Sequence, residues 1–328
     1  RGLGDVYKRQ DPLSTFVGIA TPIKYVTTDA LGQKASATIN PTVVAKPVAT
    51  NDSSIDGQDI NQTVDVLAND GGAPGYPLNA STMKLCATTP IAQTPPNCTA
   101  TTVTISGQGT YTISAIGEIT FDPLPTFIGN ANPVKYQVAD TFTTPQIVAA
   151  LYAPTVVAAP TVAPNISING QDVNQAISIL GNDQAATGYS LNPASVKLCD
   201  PYSNPVEVAT NCTLNSLTIS NEGTYTVNTT TGVVTFDPLP TFVGTATPVT
   251  YQVSDTLTNP QTRSATITPT VIAAPVALPD TSINVQDVNQ SIAPLANDTV
   301  VNGYPLLPAT VKICTTTTVS YTHLTLPT

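Results

Sequence analysis

Tryptophan is missing from all 328 residues, histidine and methionine occur once each, and aromatic side chains make up only 5%. Charged residues are scarce too, at 10%. Each shortage excludes something. With at most one imidazole, the chain has almost nothing to offer as a histidine general base or as a histidine metal ligand. The G-x-S-x-G elbow and the Gly-rich phosphate loop are both absent, which removes the commonest hydrolase and nucleotide-binding signatures. No apolar run approaches the ~18 uninterrupted residues of a membrane span. The net charge of −10, with few lysines, would be repelled by a phosphate backbone, so nucleic acid is excluded as a partner. Helical periodicity is missing as well. These absences leave a non-enzymatic protein of extended structure.

What the chain has in abundance is Thr, Val, Ile and Ala, broken by 30 Pro and 19 Gly. β-Branched side chains fit a pleated surface better than a helix, so this composition predicts an all-β protein. One stretch recurs in a fixed order. It reads DPLSTFVGIATPIKYVTTD at 11–29, DPLPTFIGNANPVKYQVAD at 122–140 and DPLPTFVGTATPVTYQVSD at 237–255. The spacings of 111 and then 115 residues make the chain a tandem array.

The two ends do not belong to that array. Residues 5–10 (DVYKRQ) and 319–324 (VSYTHL) correspond to one short DNA element read in opposite orientations, and they resemble translated sequencing adaptor. Residues 1–10 and 319–328 are therefore set aside as translated adaptor or cloning scar. This removes His323, the single histidine, and also Arg1, Asp5, Lys8 and Arg9, which takes the net charge from −10 to −12.

Between the ends, residues 11–44 read as the C-terminal part of a repeat. Residues 45–158 and 159–273 are two complete repeats, and 274–318 are the N-terminal part of another. The boundaries fall at the Pro-containing connectors AKPVATND (45–52), APTVAPN (159–165) and APVALPD (274–280), which are extended and semi-rigid. Inside a repeat, TYTVNTTTGVVTFDP (224–238) is two alternating runs around 229–232 and reads as a β-hairpin. In the closing strand Val249, Tyr251 and Val253 share one face, the period of a half-buried antiparallel strand. Seven to nine short strands per repeat, with turn signals between them, predict tandem Ig-like antiparallel β-sandwich modules arranged end to end. Each module would be roughly 35 Å long, given strands near ten residues.

The five cysteines fall into phase with the repeats. Cys86 pairs by position with Cys98, and Cys199 with Cys212; Cys314 stands in the first position, its partner past the end of the chain. One disulfide per repeat, which implies an extracytoplasmic compartment, competes with the reading of two free buried thiols. A zinc site is disfavoured because no CxxC occurs.

The run VTFDPLPTFVGTATPVTYQVSD, followed by TRSATITPTV and preceded by SILGND, SVKLC and GTYTVNTTTGVVTF, resembles the CshA-type fibril repeat of bacterial surface adhesins. The resemblance spans nearly all of 11–318. It implies a stalk segment of a cell-surface fibril, extracellular on the bacterial surface, whose repeats neighbour one another. An adhesive region outside this fragment would bind the host or cell-surface ligand. The alternative is that the repeats themselves bind glycan or protein ligands, in a Ca2+-dependent way.

Candidate sites follow from residue type. Asp52, Asp56, Asp59, Asp65, Asn69 and Asp70 crowd the start of the first complete repeat. Asp183 and Asp298 repeat the Asn-Asp position, and Asp140 and Asp255 follow the closing strand. Hard oxygen ligands near module junctions suit Ca2+, which makes Asp52, Asp70, Asp140, Asp183, Asp255 and Asp298 the candidate ligands. The competing reading is that Asx residues make turns by bonding their own backbone. Tyr76, Tyr189 and Tyr304 read as partly buried structural side chains rather than sugar platforms. Phe16, Phe127 and Phe242 read as core plugs. Lys84, Lys197 and Lys312 beside the first cysteine are edge-strand lysines; the competing role is a crosslink to asparagine.

Overall fold

The computed structural model describes residues 10–87, 92–202 and 211–314. The adaptor-like ends, His323 included, lie outside them except for Gln10. The chain divides into two compact units between Ala159 and Pro160, the short segment Leu257–Gln261 grouping with the first.

The all-β expectation holds, because alternating β-branched segments have an apolar face to bury and few residues that favour helix. The first unit opens with strands β1 (Gly18–Ile19), β2 (Ile23–Thr28), β3 (Lys34–Ile39) and β4 (Thr42–Val43). Here β2 pairs with β3, and β1 with β4, all antiparallel. These are two separate two-stranded sheets, and Ile23 and Tyr25 on β2 are exposed.

The complete repeat follows as β5 (Asp52–Gly57), β6 (Gln62–Asp65), β7 (Leu78–Leu85), β8 (Thr102–Ile105), β9 (Gly109–Ile113), β10 (Glu118–Pro123), β11 (Gly129–Asn130), β12 (Val134–Asp140) and β13 (Ile147–Val157). One sheet has the order β6-β10-β9-β8; the other has β11-β13-β12-β7 with β5 on β13. The second unit repeats this plan with β14 (Asn165–Gly170), β15 (Gln175–Ile177), β16 (Leu191–Leu198), β17 (Ser216–Ile219), β18 (Gly223–Val227), β19 (Val234–Pro238), β20 (Gly244–Thr245), β21 (Val249–Asp255) and β22 (Thr262–Ile272). The hairpin around 229–232 is β18–β19, turned by Gly232 at φ +74. Leu180 Cδ1 would lie 2.6 Å from a Cβ there, a second reason for glycine.

The sheets are not antiparallel throughout. Strand β5 runs parallel to β13, and β14 to β22: Asp52 faces Tyr152 and Gly57 faces Val157, while Asn165 faces Ile267 and Gly170 faces Ile272. A parallel pair needs a long crossover, and here the crossover is the whole repeat. Within a unit the chain therefore begins at one end of the sheet and leaves at the other.

Each sandwich closes on its own aromatic cluster. In the first, the Tyr111 and Phe121 rings lie 4.6 Å apart, with Phe127 edge-on to Phe121 at 6.4 Å. In the second, Tyr225 and Phe236 lie 4.6 Å apart, with Phe242 edge-on at 6.3 Å. Phe127 and Phe242 thus pack against the core, whereas Phe16 sits half-buried just before β1. Val249, Tyr251 and Val253 are all buried. Disulfides join Cys86 to Cys98 and Cys199 to Cys212, with Cα–Cα distances of 4.5 and 4.2 Å. Cys314 is exposed and carries none.

Candidate functional site

The recurring polar residues gather where the connectors meet the sandwiches. Each Asn-Asp pair ends a turn, and its aspartate reaches back along the chain to the same connector position. Asp70 Oδ1 accepts from Thr50 N at 2.7 Å, Asp183 Oδ1 from Ala163 N at 2.9 Å, and Asp298 Oδ1 from Leu278 N at 2.8 Å. The preceding asparagines assist: Asn182 Nδ2 donates to Pro164 O, Asn297 Nδ2 to Pro279 O, and Asn69 Nδ2 to the Asp52 carboxylate. Two residues before each anchored amide, a paired backbone bridge holds the connector: Val48 with Gly71, Thr161 with Gln184, and Val276 with Thr299.

A glutamine fixes the connector where it leaves the sandwich. Gln58 Oε1 accepts from Ala159 N at 3.2 Å, and its Nε2 donates to Pro125 O at 2.8 Å. Gln171 repeats this with Ala274 N at 3.1 Å and Pro240 O at 2.7 Å. Pro125 and Pro240 belong to the recurring DPLPTF segment. That segment therefore serves as the fixed acceptor for the connector's clamp, besides placing the Phe127 and Phe242 rings. The glutamines sit before Asp59 and Asp172, at φ +63 and +60. These aspartates turn the chain in the left-handed region that short polar side chains tolerate.

The Asn-Asp aspartates are also held from the core. Tyr251 is fully buried, and its hydroxyl donates to Asp183 Oδ2 at 2.8 Å while accepting from Asn165 Nδ2 at 3.1 Å. In the first unit Tyr136 lies 2.9 Å from Asp70 Oδ2 and 3.0 Å from Asp52 Oδ2. Burial raises the carboxyls of Asp52, Asp70 and Asp183 above the usual aspartate range, and the neighbouring Asp70 charge adds to the rise at Asp52. Burial likewise raises both phenols, followed by the carboxylates they touch, so they remain donors.

The six aspartates named as calcium candidates are thus spread over different roles. Asp52 and Asp70 come together, Asp183 and Asp298 each latch a connector, and Asp140 closes a turn by accepting from Phe142 N and Gln146 N. Asp255 occupies the equivalent buried position on β21. Among the described residues, no group of three or more His, Cys, Asp or Glu side chains is placed to hold a metal ion. Tyr76 is half-buried against Phe142, ring centroids 4.8 Å apart, Tyr189 is half-buried, and Tyr304 is exposed. Lys197 Nζ donates to Asn215 Oδ1 at 2.6 Å; Lys84 is half-buried and Lys312 exposed.

Sequence reasoning passed over Gln58, Gln171, Asn165 and the hydroxyls of Tyr136 and Tyr251. The signal for the glutamines was available: Q-D-x-N-Q recurs at 58–62, 171–175 and 286–290. The separation of 20 residues from anchored amide to aspartate is also the same in all three copies.

The family model described as the surface adhesin CshA repetitive domain matches residues 44–156 and 159–271. Among curated proteins none matched. Among solved structures the chain is similar to mouse cadherin-23 EC22-24, at 11% identity over 77% of this chain and 74% of that one, with a TM-score of 0.28. The human desmocollin-1 ectodomain matches at 11% identity over 78% and 50%, TM-score 0.28. Sidekick-1 immunoglobulin domains 1-5 match at 11% identity over 80% and 47%, TM-score 0.29.

Proposed function

The chain belongs to the surface adhesin CshA repetitive-domain family, and we propose on that premise that it works as a stalk. It is a non-catalytic segment of a bacterial cell-surface fibril that carries an adhesive region away from the cell. One observation supports this above the others: the first and last strands of each sandwich, β5 with β13 and β14 with β22, lie side by side and run the same way. A module built so passes the chain from one of its ends to the other, which makes added copies add reach. No helix among the described residues is long and apolar enough to cross a membrane.

The connector anchorages support the same reading. Ala159 is clamped by Gln58, and Thr161 is already bridged to Gln184. Pro160 alone stands between these fixed points, and its ring locks φ. Ala274, Pro275 and Val276 repeat the arrangement.

Replacing Gln58 by leucine is expected to remove the clamp and spare the sandwich. The Ala159 amide should exchange about fivefold faster, the loss of one ordinary hydrogen bond, while the core amides of β12 and β13 keep their protection. Hydrogen exchange followed by NMR reads both. Unchanged exchange at Ala159 would show that the glutamine holds nothing.

A further inference from the structure

The two units differ at one position of an otherwise equivalent hydrogen-bond chain. In the second, Asn165 Nδ2 donates to the Tyr251 hydroxyl, which donates to Asp183 Oδ2, whose other oxygen accepts Ala163 N. Every donor meets an acceptor. In the first unit Asp52 takes the place of Asn165, since both open the strand that pairs in parallel with the last one. The Tyr136 hydroxyl then meets two carboxylate oxygens, Asp52 Oδ2 at 3.0 Å and Asp70 Oδ2 at 2.9 Å, besides Val66 O at 3.1 Å and Thr50 O at 3.3 Å, where the Tyr251 hydroxyl meets one carboxylate oxygen besides Ala163 O at 3.3 Å. A hydroxyl has one proton to give. With both carboxylates ionised, two negative oxygens would converge on a fully buried phenol and share that proton.

We propose that Asp52 is held in the folded first unit as a neutral carboxylic acid. Its Oδ2–H donates to Tyr136, as the Asn165 amide donates to Tyr251, and Tyr136 donates onward to ionised Asp70. The Asp52 Oδ1 still accepts from Asn69 Nδ2 at 3.0 Å, which a protonated carboxyl also permits. The charged groups acting on Asp52 are Asp70 and Asp65, both negative, and the titratable phenols facing it are Tyr136 and Tyr152. Burial and the two negative charges oppose ionisation and outweigh the hydrogen bonds from Tyr136 and Asn69, which favour it. A shared proton is the usual outcome where two carboxylates crowd one site.

The consequence is a pH-sensitive latch, because Asp70 is the residue that holds the connector at Thr50. A carboxyl whose folded-state pKa is raised contributes stability that is complete below the unfolded value of ~3.9 and is lost as pH rises through the folded value. Each unit of difference costs a tenfold fall in the folded-to-unfolded ratio across that window. The first unit should therefore loosen from mildly acid toward neutral pH. The second also carries a raised carboxyl, Asp183, but it has an amide where the first has an acid, so it should loosen less.

The test is a titration of the full chain by NMR of the aspartate carboxyl carbons, from about pH 3 to about pH 8. Asp52 should titrate well above the ordinary aspartate value. Asp52→Asn should abolish that titration and flatten the pH dependence of amide exchange in the first unit. The reciprocal Asn165→Asp should steepen the dependence in the second unit to that of the first, which keeps the proposal open to test if Asp52→Asn fails to fold. Asp52 titrating at or below the ordinary value would overturn it, as would an Asn165→Asp chain whose second unit depends on pH no more steeply than it did before the substitution. Calcium chloride added at neutral pH should leave the Asp52 and Asp70 signals unmoved; a shift in both would replace the proton by a cation and overturn the proposal.

Discussion

Replacing Phe236 by alanine is expected to destabilise the second unit by about 3–5 kcal/mol and to leave the first unit's unfolding where it was. Phe236 is fully buried, its ring tilted 35° against that of Tyr225 at 4.6 Å and met edge-on by Phe242. Its ring also fills the space over Gly223, where a Cβ would come within 2.8 Å of Cε2. The hole left by the ring is walled by strands of both sheets and cannot collapse without moving either. The aromatic clusters of the two units share no residue, so the loss should stay local. Amide exchange measured through a denaturant series would show protection falling in 165–272 and holding in 52–157. An equal fall in both would mean that the repeats share one cooperative core.

Reducing the disulfides is expected to cost each unit about 3 kcal/mol in the chain-entropy account, given bridges of 12 and 13 residues' separation. The native positions do not depend on the bond alone. Cys199 N donates to Thr250 O, Cys212 N to Gln252 Oε1, and Leu198 is bridged to Leu214 just inside the pair. In the first unit Cys86 N donates to Lys135 O and Cys98 N to Gln137 Oε1. With both half-cystines hydrogen-bonded in place, the folded state should survive reduction, and the loss should come from a freer unfolded chain. Thermal unfolding with and without reductant measures it, and thiol titration confirms the state: one reactive thiol, Cys314, before reduction and five after it. Midpoints that do not move on full reduction would contradict the expectation.

Much of the fold was legible because a repeat shows each element more than once. The alternation in VTYQVSD placed Val249, Tyr251 and Val253 in the core, and TTTG marked the β18–β19 turn. Periodicity fixes which face a side chain takes; it does not say which strand lies beside it. The parallel ladder between β14 and β22 was therefore missed: strand direction across a whole repeat is set by the topology of both sheets. The aspartates show the same limit in their side chains. Clustered carboxylates suit calcium and turns alike, and the choice depends on which amides the fold brings to them. Asp183 meets Ala163 N and the Tyr251 hydroxyl, and neither contact is a property of the local sequence. Tyr251 was read correctly as a core residue, yet the work of its hydroxyl end appears only once Asn165 is laid across it.

The central claim is that copies add length. Small-angle scattering on chains carrying increasing numbers of the 159–271 repeat tests it most directly. The stalk account gives a maximum dimension that grows by a constant increment of roughly 35 Å per copy, the length of one sandwich. A dimension that levels off, with the cross-section growing in its place, would show that the repeats pack into a globule and would contradict it.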